Sequence, residues 1–174
     1  KSYNKIVERA QQANSEITDT LAIAMLEGHQ LGRLFPEIYD AFTSQYPHIH
    51  IHTHRSSFSP LIEALYQGEA DIIITLDFDV MDRPDIEYRE LSLIENFLVV
   101  PADHPLADRE NLTLYDFRND VFILNSPEDS RAGYQNLIGA CRDAGFEPQV
   151  RLAASMDEYM LMLEVGNGIT VLSE

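Results

Sequence analysis

Asp71-Ile72-Ile73-Ile74-Thr75-Leu76 (DIIITL, residues 71–76) is an apolar run dominated by β-branched residues, the pattern of a strand covered on both faces. What precedes it decides what kind of sheet it joins. Upstream, Ser59 reads as an N-cap with Pro60 at the first helical position, then apolar Leu61, Ile62 and Leu65, and Gly68 as the stop. Before that helix, His48 to His54 alternates histidine with Ile49, Ile51 and Thr53, the period of a half-buried strand. Further back, Leu31, Leu34, Phe35, Ile38 and Phe42 recur at helical spacing, with Pro36 blurring the start and Tyr46-Pro47 closing the helix. Leu21 to Met25 is a short buried-strand candidate, followed by a break at Glu27 to Gln30. The sum is β-α-β-α-β within about sixty residues, which predicts a doubly wound parallel sheet with ligands at the carboxyl ends of its strands.

Downstream, a second unit of similar design begins at Phe97 to Pro101. Thr113 to Asp116 forms a helix start like a capping box, with Asp in place of the usual Glu or Gln. Val121 to Leu124 reads as a strand, Arg131 to Ala144 as a helix closed by Gly145, and Val150 to Ala154 as a strand. Ser155 to Glu158 is a capping box opening a helix to Gly166, and Ile169 to Leu172 is a last strand.

The chain's 174 residues suffice to bury a hydrophobic core, and 45% of them are hydrophobic, as in folded globular chains. With 12 Lys+Arg against 29 Asp+Glu the formal net charge is −17, and no two cationic residues are adjacent. Such a segment is no nucleic-acid clamp, because phosphate binding needs clustered cations. The single cysteine, Cys141, allows no intrachain disulfide and demands no oxidising compartment. It falls on the apolar side of its helix with Leu137, Ile138 and Ala144, and reads as a buried small hydrophobe. No apolar stretch approaches the roughly 20 residues that span a bilayer. No nucleophile elbow, phosphate-binding glycine loop or two-histidine-glutamate helix motif is present, so nothing calls for catalysis or a cofactor.

The order and spacing of these motifs resemble the effector-binding domain of LysR-type transcriptional regulators. The likeness is carried by the Leu31 to Tyr46 helix with Tyr46-Pro47, Leu65 to Gly68 leading into Asp71-Ile72-Ile73-Ile74, and Val99-Val100-Pro101 with Asp103 to Ala107. Leu112 to Phe117, Phe122-Ile123-Leu124, and Glu164 to Leu172 with Gly166-Asn167-Gly168-Ile169 complete it. The resemblance implies an α/β type 2 periplasmic-binding-protein fold, two doubly wound lobes joined by hinge strands, with a small-molecule effector in the cleft. It places residues 1–20 at the end of a linker helix, 21–96 in a first lobe lacking its return segment, and 97–174 in a hinge strand and second lobe. It further implies a cytoplasmic homodimer or tetramer that reaches DNA only through a separate N-terminal domain, with no membrane contact. A solute-binding protein of a transporter is the alternative on the same fold.

By position, the resemblance carries the cleft onto residues that follow strands. These are Gly28, His29 and Gln30; Ser56, Ser57 and Phe58; Thr75; Asn125, Ser126 and Arg131; and Ser155. Helix N-termini at such places present free N–H groups to an anion, the serine hydroxyls can donate, and Arg131 can clamp a carboxylate bidentately. The plainer reading is that Ser59, Ser126 and Ser155 cap helices. Glu27 and Asp77 would oppose a strongly anionic effector, which leaves a zwitterion or neutral compound open beside a carboxylate. On a strand, His48, His50, His52 and His54 would share one face at about 6.5–7 Å spacing, within reach of a shared metal. A solvated strand face with Ile49 and Ile51 buried behind it is the stronger reading, since no carboxylate or cysteine completes a ligand set. The resemblance puts this strand near a subunit contact, so a pH- or metal-sensitive dimer is a further expectation. Tyr159 reads as core rather than cleft.

Overall fold

A computed structural model describes residues 19–29 and 31–173. Three parallel strands make the first sheet, in the order β2-β1-β3: β1 is Asp19–Leu26, β2 is Ile49–Ser56 and β3 is Ile72–Ile74. The register runs from Asp19 opposite Ile49 to Leu26 opposite Ser56 on one side, and from Ile23 opposite Ile72 to Met25 opposite Ile74 on the other. Being paired on both edges, β1 is the most buried strand of this sheet, and Ala24 is fully so. The parallel pairing matches the β-α-β-α-β expectation. The proposed linker segment lies outside the described residues except for Asp19 and Thr20, which stand in β1.

Helix α1 (Leu34–Gln45) connects β1 to β2, and α2 (Phe58–Gln67) connects β2 to β3. Pro36 is the third residue of α1, where its missing N–H falls among first-turn donors that lack intrahelical partners anyway. The N-cap of α2 is Ser57 rather than Ser59, and Pro60 is the third helical residue rather than the first. Any first-turn position tolerates proline for the same reason, so the Pro signal located the turn and not the cap. Gly68 ends α2 as expected, in the left-handed region at φ 66° that glycine enters without steric cost. Phe58, Leu61 and Ala64 of α2 pack on Ala24, Leu26 and Ala70. Burial of Leu61 alone contributes about 1.5–3 kcal/mol. By contrast α1 buries no residue, and its Ile38 and Tyr39 are exposed.

β3 is shorter than the DIIITL run and is not covered on both faces: Ile72 is exposed and Ile73 and Ile74 are half-buried. It pairs with β1 alone among the described strands, so its composition overstated its burial. After it come a single turn, α3 (Asp77–Val80), and then β4 (Asn96–Val99).

In the second unit, β5 (Val121–Asn125) pairs in parallel with β6 (Gln149–Ala153), and Ile169 extends this sheet through a parallel bridge to Phe122. Helix α4 (Arg131–Asp143) covers one face with Ile138 and Cys141, and α5 (Met156–Glu164) covers the other with Tyr159. On the first face Cys141 joins Phe117, Phe122 and Ile169; on the second Tyr159 joins Ile123 and Ala153. Tyr159 is thus core, as read from sequence. Its OH donates to Thr170 Oγ1, which in turn donates to the Ile123 carbonyl at 2.9 Å. Thr113 and Asp116 form the expected capping box, on a 3-10 turn over Leu114–Phe117. The last strand, β7 (Thr170–Ser173), leaves this sheet and pairs antiparallel with β4, from Asn96 opposite Ser173 to Val99 opposite Thr170.

Candidate effector cleft

β1 ends at Leu26 and β2 at Ser56, while β5 ends at Asn125 and β6 at Ala153. These four carboxyl ends face one another across a cavity of about 140 Å³, lined by Leu26, Glu27, Ser57, Phe58, Asn125, Asp129, Ala153, Ala154, Ser155 and Met156. In a sheet of order 2-1-3 the crevice at the strand ends is where ligands sit, because flanking loops diverge there and helix N-termini point inward. A cavity of ~150 Å³ holds a molecule the size of benzene.

Two helices aim their N-termini at this space. At α2 the N-cap Ser57 has its backbone extended, and its side chain makes no capping bond. The Ser59 N–H in the first turn donates instead to Asp129 Oδ1 at 3.2 Å, across the cleft. At α5 the N-cap Ser155 accepts from the Glu158 N–H at 3.2 Å, and Glu158 Oε2 accepts from the Ala154 N–H at 2.8 Å. The cap expected at Ser155 is therefore present, and its hydroxyl also lines the cleft. Met156 closes against Gly28: a Cβ on Gly28 would stand 2.9 Å from Met156 Cε.

Of the positions carried over from the resemblance, Ser57, Phe58, Asn125 and Ser155 come together as cleft lining. Gly28 instead borders a separate, wider groove of about 480 Å³ with Met25, Leu31, Gly32, Phe35, Pro36 and Arg55. His29 is half-buried; its carbonyl accepts from Arg55 Nη1 at 2.5 Å, and its Nε2 has no hydrogen-bond partner among the described residues. Burial, and then the Arg55 charge, hold the His29 pKa below the usual histidine value, so this ring is neutral near pH 7. Gln30 lies outside the described residues. Ser56 ends β2, where its carbonyl accepts from the Glu27 N–H at 2.9 Å. Thr75 follows β3 but is not among the cavity lining, and its buried Oγ1 has no hydrogen-bond partner of good geometry among the described residues.

Ser126 is not a helix cap. Its carbonyl accepts from the Asp129 and Ser130 N–H groups in a tight turn, and Ser130 caps α4 by accepting from the Gly133 N–H at 3.2 Å. Pro127 to Asp129 fill that turn, which moves the helix cap four residues past Ser126. Arg131 is exposed at the start of α4 and stands outside the lining.

Sequence reasoning missed Asp129 and assigned Glu27 only a repulsive part. The one signal for Asp129 was its place in the Pro-Glu-Asp-Ser turn ahead of α4. Behind the cleft, Asp79 of α3 is 8% exposed and its Oδ2 lacks a partner among the described residues. Burial raises its pKa, Arg83 opposes the rise, and the nearby Asp129 charge adds to it.

The histidine strand is the outer edge of the first sheet, and His48 precedes it. Ile49 and Ile51 are half-buried and His50 and His52 exposed, as expected, but the alternation breaks at exposed Thr53 and half-buried His54. The His52 and His54 rings lie 6.0 Å apart. No group of three or more His, Cys, Asp or Glu among the described residues is arranged to hold a metal.

Comparison with known proteins places this architecture. The family described as the LysR substrate binding domain matches residues 14–174. The chain belongs to this family. It is 32% identical over 146 residues to the transcriptional dual regulator GltC of Bacillus subtilis, covering 82% of this chain and 47% of that protein. It is 31% identical over 140 residues to the HTH-type transcriptional regulator SsuR of Burkholderia cenocepacia, covering 79% of this chain and 44% of that protein. The chain thus spans under half the length of these relatives. Among solved structures, the effector-binding domain of QuiR in complex with shikimate superposes with a TM-score of 0.71 at 22% identity, covering 89% of this chain and 73% of that one. The BenM effector-binding domain with benzoate gives 0.65 at 19%, covering 88% and 69%. The fold is the type 2 periplasmic-binding-protein fold, two α/β lobes joined by hinge strands.

Proposed function

We propose that this chain is the ligand-sensing part of a LysR-type regulator, binding a small molecule between its lobes and passing the signal to a DNA-binding domain elsewhere in the protein. The observation that carries this reading is the meeting of four strand ends from two sheets at one cavity, crossed by the hydrogen bond from Ser59 to Asp129. A ligand there touches both lobes, so it stabilises one interlobe arrangement over others. Only such differential affinity moves a conformational equilibrium. Residues 21–96 serve as the first lobe and 97–174 as the hinge strand and second lobe.

The cleft contributes Ser57, Phe58, Asn125 and Ser155 to the ligand. The α2 N-terminus is positioned for a carboxylate, and the ligands named for QuiR and BenM, shikimate and benzoate, both carry one. The chain works as a sensor and not as a catalyst, in the cytoplasm, as a homodimer or tetramer. With a net charge of −17 it leaves DNA binding to a separate basic domain. Among the described residues no helix is long and apolar enough to cross a membrane. The family match and regulator relatives favour this over a transporter's solute-binding protein. Thermal-shift screening against small organic acids and amino acids tests it: a stabilising ligand whose effect is lost in Ser57→Ala or Asn125→Ala supports a responsive cleft. No stabilisation across a broad panel overturns it.

A further inference from the structure

We infer that the effector carries an ammonium group, so that any carboxylate it brings arrives as part of a zwitterion. This rests on the reading of the cleft as the effector site. The charged side chains lining the cavity are Glu27 and Asp129, one from each lobe, and no Lys, Arg or His is among the lining residues. Asp79 stands close enough to Asp129 for the two charges to interact. Arg83 and Arg55 are already committed to backbone carbonyls. Arg83 donates through Nε to the Asp79 carbonyl at 2.9 Å, and Arg55 donates to the Leu26 carbonyl at 3.0 Å and to the His29 carbonyl, facing the separate groove. Arg131 is exposed outside the lining.

A bare anion entering this cavity would meet two carboxylates with no cationic side chain to offset them. Both acids are half-buried, so the repulsion is only partly screened by water. A ligand ammonium placed between Glu27 and Asp129 reverses that sign and bridges the lobes by pairing with one acid from each. The hydroxyls of Ser57 and Ser155 and the amide of Asn125 then serve the rest of the molecule. The cavity volume suits a small amino acid or amine rather than a peptide.

Matched sets of compounds test this by calorimetric titration of the protein: an α-amino acid, the acid of the same skeleton lacking its amine, and the amine lacking its carboxyl. Alanine with propionate and ethylamine, and phenylalanine with 3-phenylpropionate and phenethylamine, are suitable sets. The expected result is that amine-bearing members bind at least tenfold more tightly than the matched acids. Whether the amine alone suffices separates a cationic from a zwitterionic ligand, and either supports the inference. Glu27→Gln and Asp129→Asn, verified as folded by circular dichroism, should each weaken amine binding tenfold or more. Acids that bind as tightly as their amino counterparts, or amine binding unchanged in both variants, overturn the inference and leave the cleft reading standing. Absence of binding by every member, and by a broader panel of neutral compounds, overturns both.

Discussion

The Ser59 backbone N–H donates to Asp129 Oδ1 at 3.2 Å across seventy residues of sequence, joining the first turn of α2 in one lobe to the turn before α4 in the other. The acceptor is a carboxylate at the positive end of a helix, so the bond is charge-assisted. Asp129→Ala should lower stability in a urea titration by about 1.5–3 kcal/mol, the range for hydrogen bonds to charged groups. Ser59→Ala keeps the N–H and should change stability by less than about 0.5 kcal/mol. An equal loss in both variants would show that the Ser59 side chain, not the bond, matters.

Asp79 sets a pH dependence. Burial, reinforced by Asp129, raises its folded pKa above the unfolded value, so the folded state binds the proton more readily. The stability it contributes is present below the unfolded pKa of about 3.9 and is lost as pH rises through the raised folded pKa. Asp79→Asn removes the ionisation. It should therefore stabilise the protein relative to wild type at pH 7, with the difference shrinking toward pH 4. Thermal melts across that range provide the readout, each kcal/mol corresponding to about 2–4 °C for a chain of this size. A difference that grows on acidification would mean that Asp79 is held charged in the fold.

The alternation of strand and helix patterns revealed the fold because each element had one dominant period and a clear stop. Gly68 closing α2 and the Ser155 to Glu158 box opening α5 are legible for local reasons. Errors came where local chemistry permits several answers. Ser57 and Ser59 are both acceptable caps, and only the path of the chain out of β2 chooses between them. Ser126 lost its cap role to Ser130 because the residues between them form a turn instead of a first helical turn. The cleft was legible in part, since strand-end serines mark it. Asp129 was not, because its significance lies in a partner seventy residues away. Arg131 was carried over by position as a carboxylate clamp; it is exposed at the start of α4 and does not line the cavity.

Gly168 probes the packing of the last bridge of the second unit against β5. A Cβ there would stand 2.5 Å from the Val121 carbonyl oxygen and 3.0 Å from Ile123 Cγ1, with φ at 157°. The backbone oxygen belongs to the β5 bond that accepts from Ile169 N–H at 2.9 Å, so it has little room to retreat. Gly168→Ala should cost about 1–3 kcal/mol by overpacking, seen as a lower urea midpoint. Gly139→Ala, where an added Cβ meets no atom within 4 Å, is the control and should be neutral or slightly stabilising through its better helix propensity.

Cys141 tests the packing of the second lobe by its reactivity. It is fully buried among Phe117, Phe122 and Ile169, and burial pushes its thiol up to about 11, with Glu147 adding to the rise. The nucleophile is the thiolate, so at pH 8 only about one molecule in a thousand carries it even before access is considered. Reaction with an aromatic disulfide reagent at pH 8 should be at least ~100-fold slower in the folded protein than in urea. Binding of a ligand in the cleft should slow it further if modification proceeds through opening of the lobe, because a ligand that favours the folded state reduces the open population. Modification at the rate of a free thiol would place Cys141 outside the core.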